Sequence, residues 1–250
     1  MISRIAEALN EGKGPLDGEK SAALDLSDLR MLSNIIDHTM LRPQAASDEL
    51  ERFCAEAVTL DVGAIAIHQV WAPLAVRILA GTGIKVGTVV GFPFGATHAC
   101  VKRAEAEASI RTGAEELDMV MNIGALRSGN LEGVLSDIQG VVDIAHDSGC
   151  ILKVILENAY LSDEQKVTAC QIAMQAGADY VKTSTGLGPS GATEADVRLM
   201  RKTVGASMGV KAAGGIRTLG DALKMLEAGA DRLGTSASAA ILAEAARRVD

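Results

Sequence analysis

Aromatic residues are scarce in this 250-residue chain, which has one tryptophan, two tyrosines and three phenylalanines. Its core must therefore be built from aliphatic side chains. The four cysteines, Cys54, Cys100, Cys150 and Cys170, contain no CxxC pair. That argues against a structural zinc site or a disulfide scaffold and fits reduced thiols. The histidines, His38, His68, His98 and His146, give neither H-x-H nor HExxH, so the ligand spacing of zinc-dependent chemistry is missing. No G-x-S-x-G elbow supports a serine hydrolase. There is no run of 18 or more apolar residues and no long apolar stretch at the start. Neither a membrane span nor a standard secretion signal is expected, and a cytoplasmic setting is. A basic patch is also missing. With a formal charge of −8, nucleic acid is not an expected partner, although a locally positive site could still take a small anion.

What the chain does have is 48% hydrophobic and 22% charged residues, enough for one domain with a full core. Residues 1–33 read as an N-terminal extension. It comprises an amphipathic helix over Ile2–Leu9, a linker over Glu11–Gly18, and a second helix capped by Ser27 or Asp28 and running through Leu32. From Asn34 to the end, strand-like and helical runs alternate. The strands are Ile35–Thr39, Ala64–His68, Val86–Val90, Leu117–Met121, Leu152–Leu156, Tyr180–Ser184, Gly209–Ala213 and Arg232–Gly234. The helices between them include Asp48–Leu60, Ala72–Ala80, Cys100–Thr112, Leu131–Asp147, Asp163–Ala176, Glu194–Val204 and Leu219–Ala228. One junction recurs: Thr112-Gly-Ala-Glu115, Ala176-Gly-Ala-Asp179 and Ala228-Gly-Ala-Asp231 each put a glycine between a helix and a strand, where a left-handed cap is needed. Eight strands with alternating helices predict a parallel (β/α)8 barrel over residues 34–250, with a doubly wound open sheet as the alternative. Functional groups in such barrels stand at the C-terminal ends of the strands.

Charged residues in those strands are few. Asp37 and Thr39 share one face of the first strand, with His38 on the other. Asp118 lies in the fourth, Lys153 and then Glu157 in the fifth, Lys182 in the sixth and Lys211 in the seventh. Adjacent strands are about 4.8 Å apart, so Lys182 and Lys211 can interact. An amine must lose its proton to attack a carbonyl, and a second ammonium nearby lowers its pKa. An aspartate can balance the remaining charge and carry protons. These residues therefore suit an imine-forming lysine, set against a purely structural ion-pair network filling the barrel. Lys153 sits deeper and reads as a charge-balancing partner. Gly186-Leu-Gly-Pro-Ser-Gly191 spells G-x-G-x-x-G, but Pro189 stiffens it, it comes late in the chain, and Lys211 stands about where the dinucleotide motif needs an acid. A glycine loop beside a phosphate is the better reading, with Gly214-Gly215 and Gly234-Thr-Ser236 adding backbone donors after strands seven and eight.

Several blocks taken together resemble the deoxyribose-phosphate aldolase family: Asp37-His-Thr-Met-Leu, Val90-Gly-Phe-Pro-Phe-Gly95, Glu116-Leu-Asp-Met-Val, Leu152-Lys-Val-Ile-Leu-Glu157, Tyr180-Val-Lys-Thr-Ser-Thr-Gly186, Val210-Lys-Ala-Ala-Gly-Gly-Ile-Arg217 and Leu233-Gly-Thr-Ser236. They run in order from about Asn34 to the C-terminal helix. The resemblance implies a class I aldolase with no cofactor or metal, acting on 2-deoxy-D-ribose 5-phosphate and releasing glyceraldehyde 3-phosphate and acetaldehyde. It assigns imine formation to Lys182, tuning of that amine to Lys211 and proton transfer to Asp118. Asp37 and Thr39 would lie near the sugar. Gly186, Gly214, Gly215 and Ser236 would lie on the phosphate-side loops, and Thr183, Thr185 and Gly234 are also expected to bind substrate. A homo-oligomer, dimer or tetramer, is expected. The alternatives are an imine-forming aldolase for another phosphorylated sugar and a non-catalytic sugar-phosphate-binding barrel. The chain departs from the family at Ala66-Ile-His68, Asn158 and Ala237, all on the substrate side.

Overall fold

The computed structural model of the protein describes residues 29–249. The expected helix over Ile2–Leu9, the linker over Glu11–Gly18 and the cap at Ser27 or Asp28 lie outside the described residues. In chain order the elements are α1 (Leu29–Asn34), β1 (Ile36–Met40), α2 (Ser47–Leu60), β2 (Ala64–Ile67), α3 (Ala72–Leu79), β3 (Lys85–Val90), α4 (Ala99–Arg111) and β4 (Glu116–Val120). There follow α5 (Ile123–Arg127), α6 (Leu131–Asp147), β5 (Ile151–Ile155), α7 (Asp163–Gln175), β6 (Tyr180–Lys182), α8 (Glu194–Val204), β7 (Gly209–Ala213), α9 (Leu219–Glu227), β8 (Arg232–Thr235) and α10 (Ser238–Val249). The eight strands form a closed parallel barrel in sequence order, β8 pairing back onto β1. The open-sheet alternative is thereby excluded. No helix among the described residues is long and apolar enough to cross a membrane.

Period-2 alternation divides the strands. Ile65, Ile67, Leu117, Met119, Leu152, Val154, Val181, Val210 and Leu233 belong to the aliphatic core shared with the helices. His38 also faces outward. Its ring stacks on Phe53 of α2 at 4.2 Å, and Nδ1 lies 2.8 Å from Ser238 Oγ. Burial pushes its pKa down to about 4, which keeps it neutral and structural at ordinary pH. The register carries the opposite face around the ring. It sets Val89 beside Asp118, Asp118 beside Lys153, Lys182 beside Lys211, Lys211 beside Arg232, and Gly234 beside Asp37.

The recurring junction is a Schellman motif, used three times. In each case the glycine has a positive φ (Gly113 95°, Gly177 83°, Gly229 107°). The alanine that follows donates its N–H five residues back, Ala114 to Ser109, Ala178 to Ala173 and Ala230 to Met225, at 3.0–3.1 Å. The next residue's N–H then opens the sheet pairing: Glu115 to Val86, Asp179 to Leu152 and Asp231 to Val210. Helix starts are capped in the way their sequences suggest. Ser162 and Gln165 form a reciprocal capping box on α7, Thr218 and Asp221 do the same on α9, and Thr193 caps α8.

Candidate active site

The inward faces of β1, β4, β5, β6, β7 and β8 contribute Asp37, Glu116, Asp118, Lys153, Lys182, Lys211 and Arg232 to one ionic network along the barrel axis. Asp118 is its centre. Lys182 Nζ and Lys211 Nζ both donate to Asp118 Oδ2, at 2.8 and 2.7 Å, so the two amines are held within a few ångströms of each other. Lys153 Nζ donates to Asp118 Oδ1 at 2.8 Å and to Glu116 Oε2 at 2.6 Å. Lys211 also donates to Asp37 Oδ2. Arg232 forks over Asp37 Oδ1 and reaches Glu116 Oε1 with Nη1 at 2.9 Å. Asp37, Asp118, Lys153, Lys182 and Lys211 are each at most 2% exposed.

Three carboxylates thus face three ammonium groups and a guanidinium. With every group ionised the network carries one surplus positive charge, and it balances when one amine is neutral. Burial disfavours any uncompensated charge, so the surplus proton should leave the amine that is held least well. Lys182, with one carboxylate partner, is that amine. Burial is the largest influence on it, Lys211 and Lys153 push the same way, and only Asp118 opposes them; the pKa is pulled down to about 8. Desolvation is the larger influence, and the neighbouring Lys211 ammonium acts in the expected direction beside it. For Lys153 burial also pulls down, but Asp118, Glu116 and Asp37 outweigh it and hold the ammonium above the usual lysine value. Burial pushes Asp118 up, yet Lys153, Lys182 and Lys211 together hold it well below the usual carboxylate range. Asp37, opposed by burial but attracted by Lys211, Lys153 and Arg232, lies at about 2.

The loops after β6 and β7 meet above Lys182 with little side chain between them. A Cβ on Gly214 would stand 3.0 Å from Gly191 Cα and 3.3 Å from Gly186 Cα, so only glycine permits this approach. Gly186, Gly215 and Ser236 are exposed at this end of the barrel. The other residues expected near the substrate make contacts within the protein. Thr183 Oγ1 donates to Ala213 O and accepts from Ala213 N, tying β6 to β7. Thr185 Oγ1 donates to Glu157 and accepts from Leu187 N. Thr39 Oγ1 donates to Asp37 O at 2.8 Å. Gly234 lies within β8 rather than past its end. A Cβ there would come within 3.1 Å of Lys211 Cε, so this glycine makes room for the lysine stem. Among the departures, His68 Nε2 lies 3.1 Å from Leu41 O, and Ala237 N donates to Thr235 Oγ1.

Arg232 and Glu116 complete the network and were not singled out in the sequence. The available signal was alternation: Arg232 shares its strand face with Gly234, and Glu116 shares its face with Asp118. A second buried pair, Lys102 with Asp137 at 2.6 Å, links α4 to α6 behind β4, where Lys102 also caps Val120 O at 2.9 Å. Among the described residues no group of His, Cys, Asp and Glu is arranged to hold a metal ion.

The family described as DeoC/LacD family aldolase matches residues 32–243. A deoxyribose-phosphate aldolase from Streptococcus pneumoniae is 51% identical over 211 residues, covering 84% of this chain and 95% of its own. One from Carboxydothermus hydrogenoformans is 48% identical over 213 residues, covering 84% and 93%. Among solved structures, the tetrameric deoxyribose phosphate aldolase of Aeropyrum pernix superposes with a TM-score of 0.80 at 32% identity, covering 89% of this chain and 97% of that one.

Proposed function

The chain belongs to the DeoC/LacD family of aldolases, and we propose that it reversibly cleaves 2-deoxy-D-ribose 5-phosphate to D-glyceraldehyde 3-phosphate and acetaldehyde. The observation that carries this reading is the buried Lys182 amine, with a pKa of about 8, sharing one Asp118 oxygen with Lys211.

Lys182, as the free amine, adds to the C1 aldehyde of the open-chain sugar, and loss of water leaves an iminium. That cation accepts the electron pair of the C2–C3 bond as the C3 hydroxyl gives up its proton. Glyceraldehyde 3-phosphate departs and an enamine remains. Protonation at C2 and hydrolysis release acetaldehyde and restore the amine. Asp118, Lys211 and water carry the protons, while Asp37 fixes Lys211 from the other side. Lys153 holds the far oxygen of Asp118 and keeps the carboxylate ionised. Gly186, Gly214, Gly215 and Ser236 face the phosphate with backbone or hydroxyl donors. A cytoplasmic homo-oligomer, dimer or tetramer, belongs to the same reading, supported by the tetrameric relative.

The test is acetaldehyde release from deoxyribose 5-phosphate, together with borohydride trapping of acetaldehyde on the protein. Peptide mapping should place the adduct on Lys182. An adduct on Lys153 or Lys211 overturns the assignment. Asp118→Asn should still trap but not turn over.

A further inference from the structure

Glu157 stands just past β5, outside the ionic network, and its position carries several costs. Its φ is 55°, a left-handed conformation that is unfavourable for a residue with a Cβ. It is 2% exposed, and it takes part in no ion pair recorded among the described residues. Oε1 is buried without a hydrogen-bond partner. Unpaired buried carboxylate oxygens are expensive, so the core alone does not account for this residue.

Its bonds point to a role. Oε2 accepts from Thr185 N at 3.2 Å and from Thr185 Oγ1, and that hydroxyl in turn accepts from Leu187 N at 3.0 Å. The Glu157 carboxylate also lies against Gly188, where a Cβ would come within 3.0 Å of Oε1. On the backbone, Leu156 N donates to Lys182 O and Asn158 N to Thr183 O, so Glu157 is fixed alongside the strand end that bears the nucleophile. One carboxylate therefore sets the path of residues 185–188, with Gly186 in the middle. A carboxylate has no proton to offer a phosphate, so any effect on that ligand must pass through the loop.

We propose that Glu157 is a positioning residue that clamps the Thr185–Gly188 loop and thereby sets selectivity for a phosphorylated over an unphosphorylated sugar. The inference rests on the reading of Gly186 as a phosphate contact. Losing a charge-assisted clamp should cost about tenfold or more, so Glu157→Ala should raise KM for deoxyribose 5-phosphate by about that factor. KM for free deoxyribose and acetaldehyde trapping on Lys182 should stay close to the parent. Glu157→Gln keeps an oxygen for Thr185 and should retain selectivity, whereas the shorter Glu157→Asp should lose it. Gly188→Ala should be harmful in the parent and nearly silent beside Glu157→Ala, because the clash partner is gone. If Glu157→Ala does not fold, the contrast between the Gln and Asp variants decides. A parent that handles both sugars equally overturns the phosphate reading itself. A selective parent whose ratio survives Glu157→Ala, or falls equally in Gln and Asp, overturns the role of Glu157 alone.

Discussion

Lys153 and Lys182 stand on neighbouring strands, and both are buried, yet their protons are held in opposite ways. Lys153 has Asp118 and Glu116 within 2.8 Å; Lys182 has Asp118 alone and shares its oxygen with Lys211. The number of carboxylates per amine distinguishes the anchored cation from the proposed nucleophile. Lys211→Leu removes a positive neighbour and returns Asp118 Oδ2 to Lys182, and both changes favour the ammonium form. The pH profile of imine trapping should then move upward from about 8, with slower trapping at neutral pH and partial recovery as pH rises. An unshifted profile would mean that Lys211 acts only as a proton carrier. Lys182, Lys211 and Asp118 were legible in the sequence because charged residues are rare in barrel strands. Arg232 was not, because an arginine at a strand's first position looks like a surface residue until the ring closes around it. Nor were the partners of Thr183 and Thr185, which come from β7 and from the end of β5.

Helix boundaries were readable where three αβ junctions repeat one glycine solution. The expected strand ends fall within two residues of the observed ones, since glycine marks where a helix must stop. The short helix α5 (Ile123–Arg127) escaped notice, as five residues are too few to show a period. Lys102, within the predicted α4, gave no sign of being buried, because that helix mixes charged and small residues around its circumference. The junction glycines can be ranked by what surrounds them. A Cβ on Gly177 would meet only Val142 Cγ1, at 3.7 Å, whereas one on Gly229 would press on Arg201 Cγ at 2.8 Å. Gly177→Ala should therefore cost little beyond its φ, on the order of 1–2 kcal/mol, lowering Tm by about 2–8 °C. Gly229→Ala should cost more. Thermal melts of the two variants check the order.

The molecule as a whole is a ring, and a ring is finished only when its two ends meet. The contacts that assemble the site join distant parts of the chain: Asp118 to Lys211 across 93 positions, Asp37 to Lys211 across 174 and Asp37 to Arg232 across 195. A partly formed barrel can own every helix and most strand pairs and still lack the environment that lowers the pKa of Lys182. Chemical competence is therefore a late event in the history of each molecule. In refolding from denaturant, helical circular dichroism should recover first. Trapping of acetaldehyde should return only in the slowest phase, together with closure of β8 on β1, because long-range contacts form last. Simultaneous recovery of both signals would show that the charges organise before the ring is sealed. On the ordering expected here, a stalled folding intermediate is an inert one, and no reactive amine is exposed to cellular aldehydes before the barrel has closed around it.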